Sequence, residues 1–302
     1  MTKFKSIYER AKSDPGKAVI GLVVPDKHSL EAVEQAFNMG LTSAAFFLTA
    51  TCDQTIFDSV RKSQFPYYVL ETAEEAADYA VAATAAGECQ MLMKGNTDTS
   101  ILLRAILKKD SGLTMGKLLT HLAWLEMPSY HKLLLVTDGG MIPYPSLEEK
   151  EQILQHAVNY SHQLGLTEPK VAVLAAAEKV NPKLKETTEA YYIKKQAATG
   201  KYGKCIVEGP ISFDLAYVAE AAELKGFESS VAGDADIMLV PDLVSGNLLA
   251  KALVYGGGGE MAGLIVGARV PIIVLSRSAS SREKMNSIAM AVTLAQTGKE
   301  DH

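Results

Sequence analysis

Cysteine is scarce in this chain. Cys52, Cys89 and Cys205 are its only three, and no two form a CxxC or any close-spaced pair. They read as reduced thiols of a cytosolic protein, so neither a disulfide frame nor a zinc site is expected. Long apolar runs are missing too. Stretches such as 171–177 and 270–275 fall far short of the ~20 residues that a membrane span requires. The opening MTKFKSIYERAKSDPG lacks an apolar h-region, so no secretory signal is expected. Nor does one charge sign dominate. Thirty Lys and Arg face 35 Asp and Glu, a net charge of −5, and the basic residues are scattered. A nucleic-acid footprint is therefore not expected, although a local cationic pocket for a small phosphate is compatible with this balance. GxSxG, HExxH and Walker A signatures are all absent.

What remains is ordinary globular composition, 48% apolar and 22% charged, which sets aside disorder, collagen and coiled coil. A length of 302 residues is two domains' worth at ~150 residues each. Short β-rich runs recur at 18–24, 43–48, 67–70, 90–93, 132–136, 170–174, 205–207, 237–240 and 271–275. They are mostly continuous apolar runs, as expected of strands covered on both faces in a parallel or mixed sheet. Helical segments lie between them. Leu30, Val33, Ala36 and Phe37 recur at helical spacing, and Thr72 with Glu75, Ser146 with Glu149, and Ser280 with Glu283 are capping-box signatures. The alternation predicts a two-domain, three-layer α/β fold with helices on both faces. A boundary is expected near 113–117 or within 127–131, with the last strand and helix free to return. The division that follows is a discontinuous first domain at 1–118 and 263–302 and a second domain at 119–262.

In such folds ligands meet the loops that follow each strand. The loop Ser276-Arg277-Ser278-Ala279-Ser280-Ser281 carries the sharpest signal. It precedes a helix N-terminus, which favours an anion, and Arg277 adds a permanent charge with a bidentate fork. Two readings stand: a phosphate or phosphoryl site, or a serine-rich connection that Ser280 and Glu283 simply cap. Arg104, in an apolar helix after Lys94-Gly95, either reaches a solvated edge or points into a cleft. The glycine run 256–259 precedes an apolar stretch that reads as helix; it allows close backbone approach but is no nucleotide fingerprint. Asp234, Asp236 and Asp242 flank the run 237–240, which would hold Asp236 and Asp242 about 20 Å apart, so one metal site for all three is not expected. His156 and His162 fall on different faces of one helix.

Taken together the motifs resemble a family. They are KGNT at 94–97 followed by Leu102-Leu103-Arg104, TDGGM at 137–141, EGPISFD at 208–214, VAGDAD at 231–236, PDLVSGNLLAK at 241–251 and LSRS at 275–278. The resemblance is to the phosphate acetyltransferase and phosphate butyryltransferase family, closer to its butyryltransferase branch, and spans about residues 15–296. It implies a fold like that of isocitrate and isopropylmalate dehydrogenases, with the active site in the interdomain cleft. The reaction it implies is acyl-CoA plus phosphate giving acyl phosphate plus CoA, with no cofactor because CoA is a substrate. By the same resemblance Ser276, Arg277 and Glu283 are catalytic, the last standing where the acetyltransferase branch has Asp. Arg104, Lys94, Ser278 and Ser280 are expected to bind substrate phosphate, and a cytoplasmic homo-oligomer without membrane or nucleic-acid partners is implied. Acetyl-CoA is the alternative substrate. A metal- and NAD-dependent dehydrogenase of the same fold and a non-catalytic CoA-binding protein are the rival classes.

Overall fold

The structure is a computed structural model that describes residues 3–13, 18–114, 116, 118–276 and 278–297. The chain divides into two compact units. The first takes Phe4–Leu119 and Ala262–His302, the second Met1–Lys3 and Thr120–Met261.

The first unit opens with α1 (Phe4–Ala11), β1 (Val19–Val23), α2 (Lys27–Asn38), β2 (Ser43–Thr49), α3 (Gln54–Lys62), β3 (Tyr67–Leu70), α4 (Ala73–Ala85), β4 (Met91–Lys94) and α5 (Thr99–Leu107). The second follows with β5 (Thr120–Glu126), β6 (Leu133–Thr137), α6 (Leu147–Gln163), β7 (Lys170–Leu174), α7 (Lys185–Ala197), β8 (Ile206–Ile211), α8 (Phe213–Tyr217), α9 (Ala219–Lys225), β9 (Ile237–Leu239) and α10 (Leu243–Lys251), which runs into a π-helical turn, Ala252–Gly256. β10 (Glu260–Val266), β11 (Ile272–Ile273) and α11 (Ser281–Thr297) complete the first unit. Strand order is β3-β2-β1-β4-β11-β10 in the first unit and β5-β6-β9-β7-β8 in the second. Pairing is parallel for the core strands, with β10 antiparallel to β11 and β5 antiparallel to β6. Each unit is a mixed α/β structure.

The apolar runs form strands because both faces are covered. Every residue of β6 is buried, as are all but the first of β1 and β2. Local signals set the helix starts. Ser146 accepts from Glu149 N–H, and the Glu149 carboxylate accepts from Ser146 N–H. Thr72 caps α4, but the Glu75 carboxylate reaches Glu71 N–H, one residue earlier than a closed box would require.

Three expectations are corrected. The apolar stretch after the glycine run is not helical but forms β10, because Ile265 pairs with Ile272 across an antiparallel ladder; a short apolar run has no period that separates helix from strand. Two of those glycines, Gly257 and Gly259, are closely packed: a Cβ on Gly257 would lie 2.7 Å from the Met127 methyl and from Leu253 O. β5 was not foreseen at all. Finally, the strand expected at 205–207 continues through Glu208-Gly209-Pro210, which lie inside β8. Proline is tolerated there because β8 is an edge strand, and Glu208 pairs with Lys194 at 2.5 Å.

At the amino ends of β6, β7 and β9 an ion network ties the second unit. Lys132 lies 2.8 Å from Asp234 and 2.7 Å from Asp236, and Lys170 and His131 reach Asp234 at 2.6 and 2.8 Å. Asp242 stands at the other end of β9 and caps α10, so the three aspartates do not form one cluster. Among the described residues no helix is long and apolar enough to cross a membrane.

The lysine and histidine partners hold the Asp234 carboxyl well below its ordinary value, against the opposing effect of burial. A depressed carboxyl contributes stability above its unfolded value of ~3.9 and loses it as pH falls through the folded value. Asp234→Asn is therefore expected to lower the urea midpoint at pH 7, with the gap to wild type narrowing below about pH 4. A gap that is constant from pH 7 to pH 3 would contradict this.

Candidate active site

The strand order of the first unit reverses between β1 and β4, and crevices of this kind take ligands beyond the carboxyl ends of the strands. Lys94 ends β4, and the chain then folds tightly onto the end of β1. Gly95 N–H donates to Val23 O at 2.9 Å and Asn96 N–H to Val24 O at 2.6 Å. A Cβ on Gly95 would press into the Val24 carbonyl, so the close approach requires glycine. Val24 is held at φ 50°, a strained conformation for a β-branched residue. Lys94 Nζ closes the loop by donating to Gly95 O at 3.0 Å and Thr97 O at 2.8 Å. Two of its three donors thus hold backbone. The Thr97 hydroxyl is buried with no hydrogen-bond partner.

Arg104 lies on α5 with its side chain exposed. Its Nε donates to Ser100 O, one turn earlier, at 3.1 Å, which draws the guanidinium toward the amino end of α5. That end meets the loop after β4.

β11 pairs in parallel with β4, so the loop after β11 rises at the same edge as Lys94. Ser276 and Ser278 are exposed there. Their hydroxyls are 2.9 Å apart, and Ser278 N–H donates to Ser276 Oγ at 3.3 Å. Arg277 lies outside the described residues. Ser280 and Glu283 form a reciprocal box: Glu283 N–H donates to Ser280 Oγ at 3.1 Å, and Ser280 N–H donates to Glu283 Oε2 at 2.7 Å. Glu283 is buried. Lys284, which sequence reasoning passed over, is buried as well, and its Nζ donates to Ala279 O at 2.6 Å. An ammonium bonded directly to the serine loop is screened little by solvent and biases the loop toward anions. Its signal in sequence was only a lysine beside an acid.

The second unit presents its own carboxyl edge. Asp138, buried after β6, accepts from His121 N–H at 3.0 Å and from Gly140 and Met141 N–H at 2.8 Å each. Gly139 lies against α10, where a Cβ would come 2.8 Å from Gly246 C. The TDGG motif is thus a backbone-packed turn organised by one carboxylate. His121, at the start of β5, was also missed; its place depends on the unforeseen antiparallel pairing with β6.

The cysteines are poor nucleophile candidates. Burial pushes all three thiols up, Cys89 to about 11, so little thiolate forms near neutral pH.

Comparison with known proteins settles the lineage. The family described as "Phosphate acetyl/butaryl transferase" matches residues 49–292. The chain belongs to that family. It is 37% identical over 296 residues to a probable phosphate butyryltransferase of Bacillus subtilis strain 168, covering 97% of this chain and 98% of the relative. It is 36% identical over 281 residues to a phosphate acetyltransferase of Thermotoga maritima, covering 93% and 96% of the two chains. Among solved structures, a branched-chain phosphotransacylase from Enterococcus faecalis V583 superposes with a TM-score of 0.83 at 30% identity, covering 92% of this chain and 99% of the other. The family's fold is therefore the one described above.

Because Gly95 meets main chain rather than a flexible side chain, Gly95→Ala is expected to destabilise the protein by roughly 2–4 kcal/mol. Urea unfolding measures this, and unchanged stability would show that the loop after β4 yields.

Proposed function

We propose that this chain exchanges short or branched acyl groups between CoA and phosphate, with butyryl-CoA plus phosphate giving butyryl phosphate plus CoA. The observation that carries the reading is the capped serine loop, with its buried ammonium, at the carboxyl edge of a chain that matches its transacylase relatives over almost its whole length.

The reaction needs no enzyme nucleophile, since CoA supplies the sulfur, and the suppressed cysteine thiols agree with that. In one direction the CoA thiolate attacks the acyl-phosphate carbonyl directly; the carbon–sulfur bond forms and phosphate departs. A free thiol has a pKa of ~8.5 and is mostly protonated at neutral pH. Glu283 takes that proton. One of its oxygens holds the cap and the other serves as base. Ser276 orients the thiol or the developing oxyanion. Arg277 and Arg104 hold the phosphoryl group, with Ser278 and Ser280 adding hydroxyl donors and Lys94 fixing the neighbouring loop. No cofactor enters this scheme. The reading includes a cytoplasmic homo-oligomer in butanoate metabolism, supported by the reduced-thiol sequence and by the family.

Acetyl-CoA is the alternative substrate, which the family's joint description and the acetyltransferase relative both favour. One methylene in an apolar pocket discriminates by only ~1–3 kcal/mol, so butyryl, isobutyryl and isovaleryl groups all fall within reach.

The deciding assay mixes butyryl-CoA with phosphate and follows CoA release with a thiol reagent, with acetyl-CoA alongside. Phosphate-dependent release, faster with butyryl-CoA, is expected; no release with either would overturn the reading, and faster acetyl turnover would transfer it to the alternative. Glu283 is tested by paired variants. Gln preserves the cap but accepts no proton, so Glu283→Gln is expected to keep wild-type stability and lose ~100-fold or more in turnover. Glu283→Ala is expected to lose stability too, by ~1 kcal/mol. Wild-type turnover in a folded Glu283→Gln protein removes the base role.

A further inference from the structure

We propose that Lys284 is a positioning residue for phosphate: its buried ammonium is the counter-charge that the substrate anion completes, acting through the Ala279 carbonyl that it holds. The proposal rests on the acyl-transfer reading of the serine loop and adds a residue to it.

The whole arrangement lies in the first unit. Ala279 N–H donates to Ser276 O at 3.0 Å, which ties Ala279 to the segment that carries the serine hydroxyls. The peptide that follows, from Ala279 to Ser280, is gripped at both ends by neighbours on α11. Its carbonyl accepts from Lys284 Nζ at 2.6 Å, and its N–H donates to Glu283 Oε2 at 2.7 Å. A planar trans peptide points these two groups in opposite directions, so an ammonium at one end and a carboxylate at the other fix how it is turned. Lys284 N–H donates to Ser280 O at 3.1 Å, so the grip belongs to the first turn of the buried helix.

The charge on Lys284 sets it apart. Its hydrogen bond is made, but its charge is not balanced. The residue is 9% exposed, and among the described residues it forms no ion pair; Ala279 O is its partner. Lys150 shows the other way in which this chain buries an ammonium: it lies 2.7 Å from the carboxylate of Glu189, itself buried. A charge withdrawn from water without an opposite charge beside it is costly.

A lysine kept in this way serves an anion that arrives with the substrate. Solvent screens a buried charge little, so its field reaches the loop across the Ala279 carbonyl. That carbonyl, turned toward Nζ, is also withdrawn from an incoming anion, which its oxygen would repel. The benefit falls on phosphate. The acyl group carries no charge and gains nothing from it.

Steady-state kinetics with butyryl-CoA and phosphate test this, together with thermal unfolding in inorganic phosphate against sodium chloride at matched ionic strength. In Lys284→Met, KM for phosphate is expected to rise ~10-fold or more, with KM for butyryl-CoA within about threefold of wild type. Lys284→Arg keeps the charge and is expected to bring KM for phosphate back to within about threefold of wild type. Phosphate is expected to raise the wild-type unfolding midpoint above the chloride control, and to raise that of Lys284→Met by less than about half as much. Lys284→Gln, neutral as well, decides should Met fail to fold. Wild-type KM for phosphate in a folded neutral variant overturns the proposal, as does an equal rise in KM for both substrates, which would assign Lys284 to the fold alone. Absence of phosphate-dependent turnover in the wild type would instead overturn the acyl-transfer reading. The midpoints then decide for Lys284 by themselves: an equal response to phosphate in wild type and variant, or none in either, overturns its role.

Discussion

The burial of α11 is the constraint on which the candidate site depends. From Glu283 to Leu294 every residue of this helix is buried, and it packs against α1, α2, β4 and β11. A helix enclosed on all faces needs every polar group matched, and it has them matched. Ser287 Oγ accepts Gly263 N–H at 3.0 Å and donates to Glu283 O at 2.8 Å, while Asn286 Oδ1 accepts the Tyr8 hydroxyl at 3.0 Å. Such a helix has no freedom to slide. Its first turn, and with it the serine loop, is therefore set by the core of the first unit.

This gives Glu283 and Lys284 a double character. Both are buried polar residues that complete the fold, one by capping α11 and the other by binding Ala279 O. Both also bring charge to the edge where β4 and β11 end. The two edges of the second unit divide the work differently. Asp234, Asp236, Lys132 and Lys170 neutralise one another at the amino ends of the strands, whereas the carboxyl ends carry loops shaped by glycine and by Asp138. The ion network at the amino ends is structural.

What was legible in the residues was local or apolar. Continuous runs such as those of β1, β2 and β6 announced strands covered on both faces, and the boxes at Ser146 and Ser280 announced helix starts, because both signals act over a few residues. The boxes at Asp26 and Asp242 escaped notice, since serine rather than glutamate closes them at Ser29 and Ser245. β10 was misread because its apolar residues show no clear period, and its pairing with β11 joins residues that no local pattern links. His121 was invisible for a related reason. Nothing near it in sequence marks it, and its buried Nδ1 exists only once β5 pairs with β6 and Gly140 closes on the ring. The family resemblance carried the function further than spacing did, because six weak motifs in order say more than any one of them.

The central claim is that the loop from Ser276 to Glu283 is where phosphate docks. A crystal structure of the protein grown with CoA and phosphate tests it directly. The account predicts an anion within hydrogen-bond distance of the serine hydroxyls and main-chain N–H groups of that loop. A loop empty of anion, with phosphate bound elsewhere on the protein, would contradict it.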